Sequence, residues 1–220
     1  MKRVSSVVAL LLALVMLLTA CSGTAGSDNN QNAGTPASES EQGATRDTIH
    51  LALNQVVETL NPFASANIVD MQLFCQLYET LFFVTDTGEL EPRIAESYEA
   101  HPDGMTYTVH LRNDVKFHNG EKLTAEDVAW SLDYAMKSGP YTQKRTNLSS
   151  FESATAVDEN TVEIKSSTTS ASFFTSICLF GYILQKDAFL AAEADETVGS
   201  EWIPFGTGPY MVAEYNPDAE

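Results

Sequence analysis

The chain has 220 residues, of which 44% are hydrophobic, and its formal net charge at pH 7 is −18. This length and apolar content suffice for one substantial core. A surface this acidic repels nucleic-acid phosphates and anionic membrane surfaces, so the charge argues against nucleic acid as a partner and favours solubility.

The first 20 residues have the layout of a secretory signal peptide. Lys2 and Arg3 form a short positive region, and residues 7 to 20 are apolar. That run is short for a membrane span, which needs about 20 residues, but it fits the apolar part of a signal. The sequence Leu18-Thr19-Ala20-Cys21 resembles the lipobox of bacterial lipoproteins. The resemblance implies cleavage before Cys21 and lipid attachment to it; the alternative is an ordinary signal with a chance cysteine.

The next segment, residues 21–47, is dominated by Ser, Gly, Asn, Gln and Glu, and after Cys21 it has no aliphatic side chain larger than alanine. Such a composition cannot bury enough apolar surface to become ordered. We therefore interpret residues 21–47 as a disordered tether between the anchor and a folded part at residues 48–220.

The folded part opens with alternating apolar residues, Ile49, Leu51 and Leu53, which predict a first strand. A turn is predicted at residues 58–62. Apolar residues at helical spacing then predict a helix from about Ile68 to Phe83, followed by a turn at residues 86–88.

Residues 93 to 118 have the pattern of a β-meander. Tyr107, Val109 and Leu111 alternate with the polar residues Thr106, Thr108, His110 and Arg112, so the two sets are predicted to lie on opposite faces. Turns are predicted at residues 113–114 and at Asn119-Gly120.

A helix with clear end signals follows the meander. Thr124 is suited to the N-cap, and Asp127 stands three residues later where a capping side chain belongs. Glu126 and Asp127 also suit the positive end of the helix dipole. Gly139-Pro140 is predicted to end the helix, whose apolar face comprises Val128, Leu132, Ala135 and Met136.

The rest of the chain is predicted as a hairpin, two short helices and a glycine-rich turn. The hairpin joins residues 155–157 to 161–165, and the helices cover residues 171–180 and 186–194. In the turn, Gly206-Thr207-Gly208-Pro209, the glycines are expected to allow positive φ and the proline to fix the exit. A strand is predicted at 210–213.

The candidate chemical groups do not form a recognisable reactive site. His110 and His118 are placed on different strands and lack the spacing of metal ligands, so we predict no metal site. Cys75 and Cys178 lie in apolar runs; we expect free buried thiols, with a disulfide as the alternative in an oxidising compartment. No nucleophile motif or acidic pair stands out, which predicts a protein that is not an enzyme and needs no cofactor.

Several stretches together resemble the family 5 extracellular solute-binding proteins of ABC transporters, the oligopeptide, dipeptide and nickel-binding group. The matching stretches, in chain order, are LEPRIAESY at 90–98, DGMTYT at 103–108, LRNDVKFHNG at 111–120, LTAEDV at 123–128 and GTGPY at 206–210. Two positions depart from the family pattern: Tyr98 stands where the family often has Trp, and Phe205 where it has Val or Ile.

The resemblance implies a mixed α/β fold, the N-terminal lobe of a two-lobed periplasmic-binding-protein-like structure whose second lobe is largely missing here. It implies a lipid-anchored component of an ABC importer at the outer face of the bacterial cytoplasmic membrane. Its expected partners are a peptide ligand and the permease subunits. The alternatives are a nickel complex, an oligosaccharide or haem as ligand, a sensor or chaperone lipoprotein on the same scaffold, or an exported enzyme.

The resemblance also implies that the segment after the first strand reaches the ligand cleft. Here that segment is Val57, Glu58 and Thr59, and Glu58 could pair with a peptide amino terminus; the alternative is an exposed turn glutamate. Tyr78 could stack on a ligand side chain or belong to the core. Trp130 is a weaker candidate, and the GTGPY turn is expected to be structural.

Overall fold

The computed structural model describes residues 52–53, 55–138, 148–199 and 202–216, all within one compact unit that runs from His50 to Glu220. The predicted signal peptide, the tether, the Gly139-Pro140 stop and most of the predicted first strand lie outside these residues. Residues 52 and 53 belong to no strand. Within the described ranges, no helix is both long and apolar enough to cross a bilayer.

The described part contains four helices and six strands. In chain order they are α1 (Ile68–Leu77), β1 (Phe82–Val84), β2 (Leu90–Pro92), β3 (Ala95–Ala100), β4 (Thr106–Leu111), α2 (Ala125–Ser138), β5 (Phe151–Asp158), β6 (Thr161–Ser166), α3 (Phe173–Phe180) and α4 (Lys186–Ala194). This is the mixed α/β class that the resemblance implied.

The main sheet is antiparallel, with the strand order β3-β4-β6-β5. Tyr107 pairs with Ile164, and Val109 pairs with Val162. These residues share a face because side chains alternate along a strand, and Val109, Val162 and Ile164 are fully buried. The predicted alternation in the meander and the predicted hairpin are therefore confirmed.

Helix α2 begins as predicted, with a reciprocal cap. The Thr124 backbone N–H and hydroxyl both donate to Asp127 Oδ2, at 3.0 and 2.6 Å, and the Asp127 N–H donates back to Thr124 Oγ1 at 3.3 Å. The other oxygen, Asp127 Oδ1, accepts from the Lys186 N–H at 3.0 Å. Because Gln185 provides no side-chain cap to α4, Asp127 caps two helices at once.

The predicted helix from Ile68 to Phe83 is too long. Helix α1 ends at Leu77, and Tyr78 has the extended conformation φ −125°, ψ 151°. Residues Phe82–Val84 form β1, which pairs antiparallel with β2. Leu81 and Phe82 are buried, so the apolar spacing continues into a strand that periodicity alone does not separate from the helix.

Of the predictions for the C-terminal part, those of the two helices are confirmed and that of the strand is wrong. The two short helices are confirmed as α3 and α4. The strand predicted at 210–213 is wrong, since these residues belong to no strand. Tyr210 and Met211 are 57% and 60% exposed, and the Tyr210 N–H bonds to the Gln76 carbonyl at the end of α1 instead of to a strand.

Candidate functional site

The predicted ligand-binding residues, 57–59, have neither helix nor strand structure, and Leu60, which follows them, continues the same irregular stretch; residues 57–60 are called the candidate segment below. Glu58 is exposed, while Val57 and Thr59 are half-buried and Leu60 is buried at 1% exposure. The Glu58 carboxylate has no hydrogen-bond or ion-pair partner among the described residues. An unpaired carboxylate beside an anchored backbone is able to accept a cationic group from outside the protein.

A buried acid, Asp70 in the first turn of α1, forms a hydrogen bond to the backbone of this segment. Its Oδ1 accepts from the Glu58 N–H at 2.9 Å, and its Oδ2 accepts from the Ser65 hydroxyl at 2.6 Å. Asp70 is 0% exposed. Within the described part of the chain these bonds, and no cation, satisfy the carboxylate, so Asp70 holds the backbone of Glu58 and the side chain of Ser65.

Tyr78 lies in the core. Its side chain is 2% exposed, and its hydroxyl donates to the Leu60 carbonyl oxygen at 2.5 Å. Burial raises the pKa of Tyr78 well above its usual value. The ring packs against the rings of Phe74 and Tyr182, with centroids 6.0 and 6.1 Å away. The predicted stacking on a ligand stays a prediction, and the contact that Tyr78 makes is with the candidate segment.

A third side chain reaches the segment from far along the chain. The Tyr215 hydroxyl donates to the Val57 carbonyl oxygen at 2.9 Å. Burial, and then the nearby negative charge of Asp70, raise the pKa of Tyr215. Sequence reasoning missed both Asp70 and Tyr215, and the one available signal was an acid inside the mostly apolar run IVDMQLF.

The GTGPY turn docks on the carboxyl end of α1. The Gly208 N–H donates to the Leu77 carbonyl at 3.0 Å, which satisfies a group that the helix itself leaves unpaired. A Cβ on Gly206 would lie 2.0 Å from Leu77 O, and one on Gly208 would lie 2.5 Å from Gln76 O. These glycines are needed for close approach. The expectation of positive φ is wrong here, because the described glycines with positive φ are Gly88, Gly104 and Gly120.

His118 clamps the same turn from the other side. Its backbone N–H donates to Gly206 O at 2.9 Å, and its Nδ1 accepts from the Gly206 N–H at 3.2 Å. Its Nε2 lies 2.9 Å from Gly208 O. Because a carbonyl only accepts, Nε2 carries the proton, which leaves Nδ1 as the acceptor. Both ring nitrogens therefore serve the turn, and His110 lies on β4 away from it.

Metal ligands and reactive thiols do not converge in the described part of the chain. No group of three or more His, Cys, Asp or Glu residues there is arranged to hold a metal ion. Cys75 and Cys178 are both free. Cys178 is buried as predicted, and burial raises its pKa to about 12. The prediction of burial is wrong for Cys75, which is exposed and lies 3.5 Å from the Tyr182 hydroxyl.

Two cavities flank these elements. One, of about 340 Å³, lies beside the end of α1 and is lined by residues that include Cys75, Tyr78, Cys178 and Pro209. The other, of about 490 Å³, is rich in acids and is lined by residues that include Asp127, Lys122 and Lys186. Both lysines are paired with glutamates and Asp127 caps two helices, so local structure explains the acidic cavity.

The weaker candidate, Trp130, is half-buried in an aromatic cluster with Phe63, Tyr134 and Phe189.

Comparison with known proteins gives a consistent set of relatives. The family model described as bacterial extracellular solute-binding proteins, family 5 Middle, matches residues 89–220. Heme-binding protein A of Haemophilus influenzae is 30% identical over 175 residues, covering 70% of this chain and 31% of that protein. Glutathione-binding protein GsiB of Escherichia coli K12 is 29% identical over 175 residues, covering 79% of this chain and 33% of that protein.

The fold is also similar to that of solved structures of binding proteins. MoaA from A. tumefaciens R10, in complex with mannopinic acid, superimposes with a TM-score of 0.64 at 29% identity, covering 74% of this chain and 33% of that one. The chain thus spans about a third of the length of the curated relatives that it matches. The predicted resemblance and fold class are confirmed by these matches.

Proposed function

Because this chain belongs to the family 5 bacterial extracellular solute-binding proteins, we propose that it captures a peptide for an ABC importer. A binding protein of this kind exchanges the water shell of its ligand for fixed hydrogen-bond partners. It performs no covalent step, so the protein is proposed to be a carrier and not an enzyme, and its partners are the peptide and the permease subunits of the importer.

The observation that carries the peptide proposal is the candidate segment itself. Residues 57–60 present an anchored backbone with the unpaired carboxylate of Glu58 beside it. A peptide offers the complementary groups, since its main chain forms hydrogen bonds and its amino terminus is a cation. The relative named for glutathione supports the same class, because glutathione is a tripeptide.

The location of the protein is proposed from its first residues. The apolar run that ends in Leu18-Thr19-Ala20-Cys21 supports cleavage before Cys21 and lipid attachment there. The segment 21–47 would then serve as a tether, leaving the folded part beside the outer face of the bacterial cytoplasmic membrane. Mass spectrometry of the protein from the membrane fraction tests this, since its chain should begin at Cys21 and carry the added mass of acyl chains, and C21A should lack that added mass.

A second ligand class has a specific observation in its favour. The relative named as heme-binding protein A is 30% identical to this chain. Haem carries two propionates, which the exposed carboxylate of Glu58 would repel. Peptide is therefore the preferred proposal, and haem is the first competitor to be tested, through the change in its visible absorbance on titration with the protein.

The deciding experiment identifies what the protein carries. Small molecules that co-purify with the full chain are released by denaturation and analysed by mass spectrometry, and we expect di- to oligopeptides. Recovery of haem, nickel complexes or sugars without peptides would refute the peptide proposal.

A matched pair of variants tests the role of Glu58. Calorimetry should show that N-acetylation of a tripeptide weakens its binding about ten-fold, and that E58Q removes most of this difference because the amide no longer attracts the ammonium group. E91Q neutralises another exposed glutamate, on β2, and should leave the difference intact. An equal effect of both substitutions would show that only the net charge matters.

A further inference from the structure

We propose that Asp70, Tyr78 and Tyr215 are positioning residues, which hold the backbone of residues 57–60 in the geometry that a ligand meets. The three side chains together are called the clamp below. The inference rests on the proposed function, because that function makes this segment a ligand contact. None of the three side chains has to touch the ligand, since each acts through a main-chain atom of the segment.

The main-chain bonding of the segment carries the inference. Residues 57–60 lie outside any helix or strand, so regular structure does not satisfy their polar groups. The Val57 carbonyl accepts from Tyr215, the Glu58 N–H donates to Asp70, and the Leu60 carbonyl accepts from Tyr78, at 2.9, 2.9 and 2.5 Å. Side chains thus replace the strand partner that this stretch lacks.

Two of the three supports, Asp70 and Tyr78, are buried, Tyr215 is half-buried, and the supported Glu58 is exposed. Asp70 and Tyr78 are 0% and 2% exposed, whereas Glu58 faces solvent. Buried side chains have few rotamers available, so they transmit a fixed position to the backbone that they bind. A ligand that binds residues 57–60 therefore meets a backbone that is already ordered, and less conformational entropy is lost on binding.

The donor and acceptor roles are complementary at each point. The two phenols donate to carbonyls, and the carboxylate accepts from an amide. A phenolate would be unable to donate, and burial raises the pKa of both Tyr78 and Tyr215, which keeps their protons in place. Both phenols therefore remain able to donate at neutral pH.

The three contacts come from distant parts of the chain. Asp70 lies at the start of α1, Tyr78 directly follows its end, and Tyr215 lies 158 residues beyond Val57. The segment is thus fixed from two ends of one helix and from the stretch that follows the GTGPY turn. A displacement of that stretch would release the Val57 carbonyl and change the direction in which the Glu58 carboxylate projects.

Tyrosine-to-phenylalanine substitutions test the clamp with least damage. Y215F and Y78F keep the ring and remove one donor, and Y107F is the matched control because the Tyr107 hydroxyl makes no bond to this segment. D70A removes the acceptor, and D70N keeps an oxygen that the Glu58 N–H can reach. Should the Asp70 variants fail to fold, Y215F decides the question alone.

Two readouts separate the clamp from ligand binding. Amide hydrogen exchange of residues 57–60, measured without ligand, should accelerate about ten-fold in Y215F and D70A, with little change in D70N or Y107F. Binding of trialanine and glutathione, measured by calorimetry on the full chain, should weaken about five-fold in Y215F, the loss expected for one hydrogen bond.

The outcomes distinguish this inference from the proposed function. Unchanged exchange in Y215F would overturn the clamp. Faster exchange with unchanged peptide affinity would overturn its role in positioning while the proposed function stands. If the unmodified protein binds neither peptide, the peptide proposal fails, and the role of the clamp in ligand binding falls with it.

Discussion

Asp127 provides the sharpest test of how this fold is held together. Its carboxylate accepts from the Thr124 N–H, the Thr124 hydroxyl and the Lys186 N–H, and its side chain is 8% exposed. D127A leaves the backbone N–H groups of Thr124 and Lys186 without their acceptor. At about 1 kcal/mol for each of the three hydrogen bonds, the free energy of unfolding should fall by about 3 kcal/mol.

Urea denaturation followed by circular dichroism measures this loss. The neighbouring acid Glu126 is the matched control, because it lies in the same helical turn and its carboxylate, among the residues that the structure describes, makes only an exposed ion pair with Lys186 at 3.3 Å. E126A should lower stability by less than about 0.5 kcal/mol. D127N, which keeps one acceptor oxygen, should fall between the two. Equal losses in D127A and E126A would show that helix charge, and not the shared cap, supplies the stability.

Three further predictions follow from close packing, burial and exposure. G206A should lower the free energy of unfolding by about 2–3 kcal/mol, since its Cβ would lie 2.0 Å from a backbone oxygen; G199A has open space around it and should change little. Stability should decrease as pH rises above about 10. Half-buried Tyr134, whose pKa desolvation and the hydrogen bond to Glu193 raise to about 12, keeps its proton in the folded state after the unfolded chain has released it, so Y134F should flatten this dependence. In a C21A background, a thiol reagent should label Cys75 in the native protein and Cys178 only after unfolding, so C75S should remove the native reaction while C178S keeps it.

Elements defined by local chemistry were predictable from the sequence. The Thr124 cap, the alternation around Val109 and the hairpin at residues 158–160 depend on neighbours within a few positions, and the structure confirms all three. The helix prediction extends too far because Leu81, just before β1, and Phe82, in β1, are as apolar as the residues of a buried helix face. Apolar spacing indicates burial in a helix and in a strand alike, so it does not identify Leu77 as the last residue of the helix.

The supports of the candidate segment were not predictable in the same way. Asp70 bonds to a backbone N–H 12 residues before it, and Tyr215 bonds to a carbonyl 158 residues before it. Such partners leave no periodic trace. Tyr78 was selected from the sequence for its ring, whereas in the structure its hydroxyl makes the contact with the candidate segment. A pattern of residue types thus located the region and left its internal bonding open.

The docking of the GTGPY turn on α1 and His118 has a consequence for how the molecule folds. The turn lies 88 residues from its histidine partner and is in contact with the backbone at Gln76 and Leu77. Contacts of such long range close large loops and form slowly. We expect the sheet and its hairpin to assemble first, and the docking of residues 206–215 to be the last and rate-determining step. The hydrogen bond from Tyr215 to the Val57 carbonyl then forms only when folding is complete.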